Sequence, residues 1–241
     1  MDELKNIAVL IDADNTQLSK MEAVLQEIST YGRIVLKRAY GNWKKEGLKN
    51  WEDEIKRLAI KAEQQFDYVS GKNATDLALA IETMDLLHQN IYDGFVLVTS
   101  DSDYTPLAIR LRESGAFVLG VGSNKTPKSF ISTCDEFVYL ENLSTTSQDT
   151  EKEKKDNKAT VTDPCAEIHK LLKIAHKKWQ DDDGFVNIGA AGAYLKRAKP
   201  DFDPRIYGYS RLTKLIEDFP KIYEVREKTN GNKRIIHYKC K

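Results

Sequence analysis

The sequence predicts a doubly wound α/β domain followed by a small winged helix-turn-helix domain. Three observations carry this. Between residues 1 and 143, short apolar runs alternate with stretches of helical spacing. Acidic pairs stand directly after two of those runs, where a doubly wound sheet keeps its ligand crevice. From residue 164 onward, three helical stretches precede two alternating ones around Thr229-Asn-Gly-Asn232, a hairpin signal.

Each element has its own warrant. Asn6–Ile11 is a short apolar run, as a central parallel strand covered on both faces requires. Leu18 to Ile28 has helical spacing, with Met21, Leu25 and Ile28 on one side. Arg33 to Tyr40 reads as a second strand, Trp51 to Gln65 as a helix, and Phe66 to Ser70 as a third strand. Ala74 to His88 is a helix whose apolar face is expected to carry Leu77, Ile81, Met84 and Leu87/His88. Gly94–Thr99 is a fourth strand, Tyr104 to Glu113 a helix, and Ala116–Val121 a fifth strand. This βαβ rhythm implies a parallel sheet with right-handed crossovers. In the second part, Ala166–Trp179, Val186–Ala198 and Tyr209–Phe219 read as helices, and Ile222–Arg226 and Arg234–Tyr238 as the strands of the wing.

Composition sets the boundaries. The net charge of 0 hides a division: residues 1–143 carry −6, residues 144–163 carry −1 and residues 164–241 carry +7. The middle stretch has a single large aliphatic residue and cannot bury enough surface to offset its ordering entropy. It reads as a flexible linker between an acidic domain, 1–143, and a basic one, 164–241. At 41% hydrophobic and 31% charged the chain has a globular composition. No apolar run approaches the roughly 18 residues of a membrane span. The start lacks the basic and then apolar stretch of a secretory signal. The cysteines Cys134, Cys165 and Cys240 are odd in number and far apart, against a disulfide framework or thiolate zinc site. A cytoplasmic location is the expectation.

The acids are the chemical signal. Asp12 and Asp14 follow the first strand, Asp101 and Asp103 follow the fourth, and Asp76 opens the third helix. If the first and fourth strands are neighbours, these carboxylates gather at one cleft and repel one another unless a cation neutralises them. Oxygen-only ligation points to Mg²⁺ or Mn²⁺ rather than zinc. Such a cation suits phosphodiester hydrolysis. Each acid also has a structural reading, because Asp caps helices and favours turns. Asp12 and Asp101 carry more weight, since both end apolar strands where an unpartnered charge is costly.

Four blocks then resemble a known family: Ile7-Ala-Val-Leu-Ile-Asp-Ala-Asp-Asn15, Lys37-Arg-Ala-Tyr-Gly-Asn-Trp43, Gly71-Lys-Asn-Ala-Thr-Asp76 and Val98-Thr-Ser-Asp-Ser-Asp-Tyr-Thr-Pro-Leu107. Together, over about residues 5–141, they resemble the NYN domain of the LabA/DUF88 type, among the PIN-like nucleases. The resemblance implies a metal-dependent ribonuclease fold with Asp12, Asp76, Asp101 and Asp103 as metal ligands and Asn15 as the accompanying polar residue. A competing match is the D-x-D-x-T loop of haloacid-dehalogenase-like phosphatases in Asp12-Ala-Asp-Asn-Thr16, with Asp12 as nucleophile and Asp14 as acid/base. Against it stand the Lys-Asn-Ala-Thr-Asp block and the lack of a cap insertion.

For RNA contact in this domain the candidates are Arg38, Trp43, Lys44 and Lys72, interleaved cations and rings that suit a single strand. The alternative is that Trp43 covers the sheet and the lysines solvate a loop. In the second domain, Phe185-Val-Asn-Ile-Gly189, Arg205-Ile-Tyr-Gly-Tyr-Ser210 and Leu212-Thr-Lys-Leu-Ile216 resemble the OST-HTH/LOTUS domain over about residues 164–240. That resemblance implies RNA binding or, for some members, a protein partner. Tyr209, Arg211, Lys214 and Arg234 are the residues that the third helix and wing would present. The expected protein is a metal-dependent ribonuclease whose winged helix recruits RNA. The other reading is an RNA-binding regulator without significant nuclease activity.

Overall fold

Burial along the central strands alternates between two apolar layers, and this sorts the first part of the chain. The structure, a computed structural model, describes residues 4–66, 73–143, 165–230 and 233–241. Its contacts divide the chain into two compact units, Met1–Asp149 and Thr150–Lys241. The linker expected at 144–163 lies outside the described residues.

In the first unit the strands are β1 (Leu4–Asp12), β2 (Gly32–Gly41), β3 (Lys61–Gln64), β4 (Gly94–Val98), β5 (Phe117–Gly122) and β6 (Glu136–Tyr139). Among the described residues they form one parallel sheet in the order β3-β2-β1-β4-β5-β6. The order reverses between β1 and β4, so those two strands flank the crevice of a doubly wound sheet. Ile7, Val9 and Ile11 of β1 join one apolar layer, with Val96 and Val98 of β4. Ala8 and Leu10 point the other way, with Phe95 and Leu97. The first layer is closed by α1 (Met21–Ser29) and α2 (Trp51–Arg57), the second by α3 (Ala74–His88), α4 (Thr105–Glu113) and α5 (Lys128–Thr133). By the same alternation Asp12 falls on the α3/α4 side.

Three expectations need correction. The helix expected over 51–65 stops at Arg57, and the third strand is Lys61–Gln64 rather than Phe66–Ser70, of which 67–70 lie outside the described residues. Ala59, with a positive φ of 50°, lies in the turn between them. Its alternation is weak because β3 is an edge strand with exposed, charged residues, so periodicity favoured a helix. The second correction concerns α3, whose ends fall where expected but whose face does not. Thr75, Leu79, Thr83 and Leu86 are buried, whereas Leu77 and Ile81 are 62% and 54% exposed. Apolar residues surround this helix, so spacing alone could not choose its inner side. Thr83 becomes tolerable inside because its hydroxyl donates to the Leu79 carbonyl at 2.7 Å. Third, α5 and β6 extend the sheet beyond the five expected strands.

The second unit is built from α6 (Ala166–Trp179), β7 (Val186–Asn187), α7 (Ile188–Ala198), α8 (Leu212–Glu217), β8 (Tyr223–Asn230) and β9 (Lys233–Cys240). Asn187 starts α7 by accepting from the Gly189 and Ala190 amides at 2.7 and 3.3 Å, an N-cap. Among the described residues β7, β9 and β8 form an antiparallel sheet in that order. β8 runs past its expected end and β9 past both of its ends, and residues 231–232 between them lie outside the described residues. Ile168, Leu172, Leu195, Leu215 and Tyr238 meet in its core. Its third helix is shorter than expected, because Tyr209 to Arg211 precede it as irregular chain. Among the described residues no helix of either unit is long and apolar enough to cross a membrane.

Candidate active site

The carboxyl ends of β1 and β4 bring the expected acids together. Asp12 ends β1 and is fully buried, at 0% exposure. Its Oδ2 accepts from Asn15 Nδ2 at 2.9 Å and from Thr99 Oγ1 at 2.9 Å. Its Oδ1 is buried with no hydrogen-bond partner. Thr99 also reaches the neighbouring acid, its Oγ1 accepting from the Asp101 amide at 3.1 Å. Asp101 in turn accepts from the Asp103 amide at 2.9 Å, fixing the turn that leads into α4. Across the crevice, Asp76 in the first turn of α3 accepts from the Tyr104 hydroxyl at 2.8 Å. Asn73 donates to Asp103 at 2.8 Å, tying the start of α3 to the β4–α4 turn.

Close approach at this edge restricts the backbone. A Cβ on Gly122, at the end of β5, would stand 2.6 Å from both the Thr99 carbonyl and Thr126 Oγ1. Beside Asp101 opens a polar cleft of about 520 Å³, lined among others by Asn15, Ser100, Ser123 and Lys125. Ser100 and Ser123 hold its two walls together through hydroxyls 3.1 Å apart.

The electrostatics follow from burial and crowding. Loss of water around Asp12 pushes its carboxyl up to about 6, although the Asn15 and Thr99 bonds pull the other way. The charges of Asp76 and Asp14 add to the rise. Asp76 is also raised, first by burial and then by Asp101, Asp103 and Asp14, while the Tyr104 hydroxyl opposes this. Tyr104, 2% exposed, has its phenol held far above the ordinary range by burial and by the Asp12 and Asp76 carboxylates. Asp14 is answered by Lys45 Nζ at 3.2 Å and by Thr75 Oγ1 at 3.3 Å.

These residues suit a hard divalent cation. Every donor is an oxygen, and Asp12 Oδ1 is a buried anionic acceptor with nothing to accept from. Among the described residues no three His, Cys, Asp or Glu groups stand at metal-ligand spacing.

The expected RNA contacts of this unit are less concentrated. Lys72 lies outside the described residues. Arg38 is engaged in the fold, 2.6 Å from Glu82 and 3.7 Å from Glu63, and Tyr40 donates to the same Glu82 at 2.7 Å. The Trp43 indole donates to the Glu63 carbonyl at 3.1 Å and packs 6.0 Å from Trp51, so it covers the sheet. Lys44 is exposed, with Nζ 5.0 Å from the ring of Phe66. Phe66 is 52% exposed and follows β3 at the same carboxyl edge, a ring that the misplaced third strand concealed. Lys125 was missed for another reason: only the fold brings the β5–α5 loop beside Asp101. In the second unit the Tyr209 hydroxyl donates to Asp218 at 2.7 Å, and its ring packs against the core. Lys214 pairs with Glu217 at 2.7 Å and Arg234 with Glu227 at 3.2 Å, while Arg211 is exposed before α8.

Fold, crevice and acid placement agree with one comparison in particular: the family model of the NYN domain matches residues 6–141. The chain belongs to the NYN domain family. The model of the OST-HTH/LOTUS domain matches residues 161–235. The chain therefore joins a nuclease-type domain to an RNA-binding domain. NYN and other PIN-like nucleases generally depend on a divalent metal. No curated protein matches the chain. Among solved structures it is similar to a protein of unknown function from Vibrio parahaemolyticus, at 15% identity and a TM-score of 0.48, covering 58% of this chain and 94% of that one. A second is an uncharacterized protein of Nitrosomonas europaea, at 24% identity and a TM-score of 0.30, covering 41% of this chain and 90% of that one. A third, residues 175–257 of a Chromobacterium violaceum protein, is 27% identical with a TM-score of 0.27, covering 30% and 78%.

Proposed function

We propose that this NYN protein is a ribonuclease that hydrolyses RNA phosphodiester bonds with Mg²⁺ or Mn²⁺, and that its OST-HTH/LOTUS domain, 164–241, recruits the RNA. The supporting observation is Asp12, a buried carboxylate with one satisfied and one orphaned oxygen at the β1/β4 switch point. Asp12, Asp76, Asp101 and Asp103 would hold the cation. When bound, it supplies positive charge at a phosphate oxygen and lowers the pKa of a water. The chain's own residues do the positioning. Asn15 and Thr99 fix Oδ2 of Asp12 and leave Oδ1 without a hydrogen-bond partner. Tyr104 holds Asp76, and Asn73 holds Asp103. Lys125 and Lys44, at the rims, are placed to take phosphates. A single strand suits the site, because an exposed ring such as Phe66 stacks unpaired bases. Cys134 and Cys240, present as thiols, accord with a reducing cytoplasm.

A second reading has its own observation. Each acid is held by a neighbour and Asp14 is neutralised by Lys45, an arrangement that also suits an RNA-binding regulator with little hydrolysis. One experiment separates the two. Labelled single-stranded RNA is incubated with wild type and Asp101→Asn in Mn²⁺, Mg²⁺ or EDTA. Cleavage that requires metal and falls on the order of 10³-fold in the variant supports the nuclease. Equal RNA binding by both with no cleavage leaves the regulator.

A further inference from the structure

The second unit holds the chain's surplus of positive charge, and its cations fall into two groups. Among the described residues, four of those on α8 and the β8–β9 hairpin are paired with carboxylates of the same unit, whereas Lys239 instead stands 5.8 Å from the Phe185 ring. Lys214 meets Glu217 at 2.7 Å, Arg226 meets Asp183 at 2.9 Å, Lys228 meets Asp181 at 2.8 Å and Arg234 meets Glu227 at 3.2 Å. A phosphate reaching these side chains must displace a carboxylate first.

The outer side of α6 differs. Lys170, Lys173, Lys177 and Lys178 are all exposed, and among the described residues none of the four has a carboxylate partner. The one acid of this helix, Glu167, is occupied by Lys199 at 3.0 Å. At 100° per residue the four lysines fall within an arc of about 140°, and Lys170 to Lys177 spans about 10 Å along the axis. Opposite that arc Ile168, Leu172 and Ala175 are buried, so the lysine side is the one turned to water. Cations without carboxylate partners can neutralise phosphates directly and release the counterions condensed on the nucleic acid, a large source of affinity.

An aromatic pair stands at the end of the stripe. Lys178 Nζ lies 5.1 Å from the ring of Trp179, and that ring is 5.2 Å from Tyr194 of α7. Trp179 is 37% exposed, and Arg197, one turn after Tyr194, is exposed as well. Rings beside unpaired cations are what an unpaired base needs, whereas duplex RNA keeps its bases stacked internally.

We propose that the outer face of α6, from Lys170 to Lys178 with Trp179 and Tyr194 at its end, is the surface on which the second unit docks single-stranded RNA, in place of α8 and the hairpin. The proposal rests on the RNA-binding reading of this domain and not on hydrolysis. It is tested in the full chain carrying Asp101→Asn, which keeps the RNA intact, by fluorescence anisotropy of a labelled single strand between about 50 and 200 mM salt. Lys170→Gln/Lys173→Gln/Lys177→Gln is expected to lose tenfold or more in affinity, and its salt slope to flatten by about 2, at roughly 0.7 per lost phosphate contact. Trp179→Leu is expected to weaken single-stranded RNA severalfold and to leave a duplex of equal length unchanged. Lys214→Gln/Arg234→Gln is expected to lose less than twofold. Lys170→Gln alone, with a melting curve matching wild type, guards against misfolding and is expected to lose two- to threefold.

Wild-type affinity and slope in the α6 triple variant would overturn the proposal. A larger loss in Lys214→Gln/Arg234→Gln, or no RNA binding by the parent, would overturn it equally. Cleavage is read separately with Asp101 intact, so loss of activity there counts against the nuclease and leaves the docking surface standing.

Discussion

The two units handle charge in opposite ways. In the NYN unit the critical charges are negative and crowded at one edge of a sheet, with Asp12 fully buried and Asp76 and Asp101 partly so. In the OST-HTH/LOTUS unit the charges of the outer α6 face are positive, spread along one helix and exposed. A buried carboxylate is strained by its surroundings and gains most from a cation at contact distance. An exposed lysine gains little from any one partner, and acts by number and by counterion release. The proposed function thus concentrates chemistry where charge is costly, and recruitment where it is cheap.

The sharpest break of this comparison is Asp12→Asn. Cleavage is expected to fall on the order of 10³-fold, as for loss of a ligand to the cation. Stability should move the other way. With its folded value raised from 3.8 to about 6, the ionised Asp12 disfavours the fold by about 3 kcal/mol, at about 1.4 kcal/mol per unit. That penalty is complete above pH 6 and fades as pH falls towards 4, where the native state holds a proton that the unfolded chain has lost. Wild type in EDTA is therefore expected to gain stability between pH 7 and pH 5. Asp12→Asn should lack this slope and be more stable by about 1–3 kcal/mol at pH 7.5 in denaturant titration. A variant less stable than wild type at every pH would show that burial does not strain Asp12.

Next in size is the face of α3. Leu79→Ala is expected to cost about 2–5 kcal/mol, whereas Leu77→Ser, on the exposed side, should stay within about 0.5 kcal/mol. Arg38 and Phe66 give a finer split at the carboxyl edge of the NYN unit. Phe66→Ala is expected to weaken single-stranded RNA by about 1–3 kcal/mol, the worth of one stacked base, with little change in melting temperature. Arg38→Met should do the reverse, destabilising the fold through Glu82 while barely changing affinity. Smallest is Tyr104→Phe, which removes the donor to Asp76 and is expected to cost about 1–2 kcal/mol at neutral pH. Its acid limb of cleavage should shift upward, because Asp76 loses the one bond that lowers its pKa.

Much of this was legible along the chain. β1 and β4 announce themselves because a strand covered on both faces must be continuously apolar, and Asp12 and Asp101 are conspicuous as charges at the ends of such runs. The inner side of α3 was not legible, since a helix with apolar residues all round gives no direction until a sheet packs against it. Nor was β3, because an exposed edge strand of Lys-Ala-Glu-Gln has no apolar pattern to betray it. Lys125 could not be found by spacing, since it reaches the cleft beside Asp101 only through the order of the strands.

Residue chemistry along the chain was therefore enough for the alternation of elements, the division into an acidic and a basic part, and the list of acids. Packing decided the rest. It left Asp12 dry with one oxygen unanswered, gave Arg38 and Lys214 to carboxylates, and left the lysines of α6 without any. The physical reason is that desolvation and ion pairing depend on which atoms come within a few ångströms, and only the folded chain settles who those neighbours are.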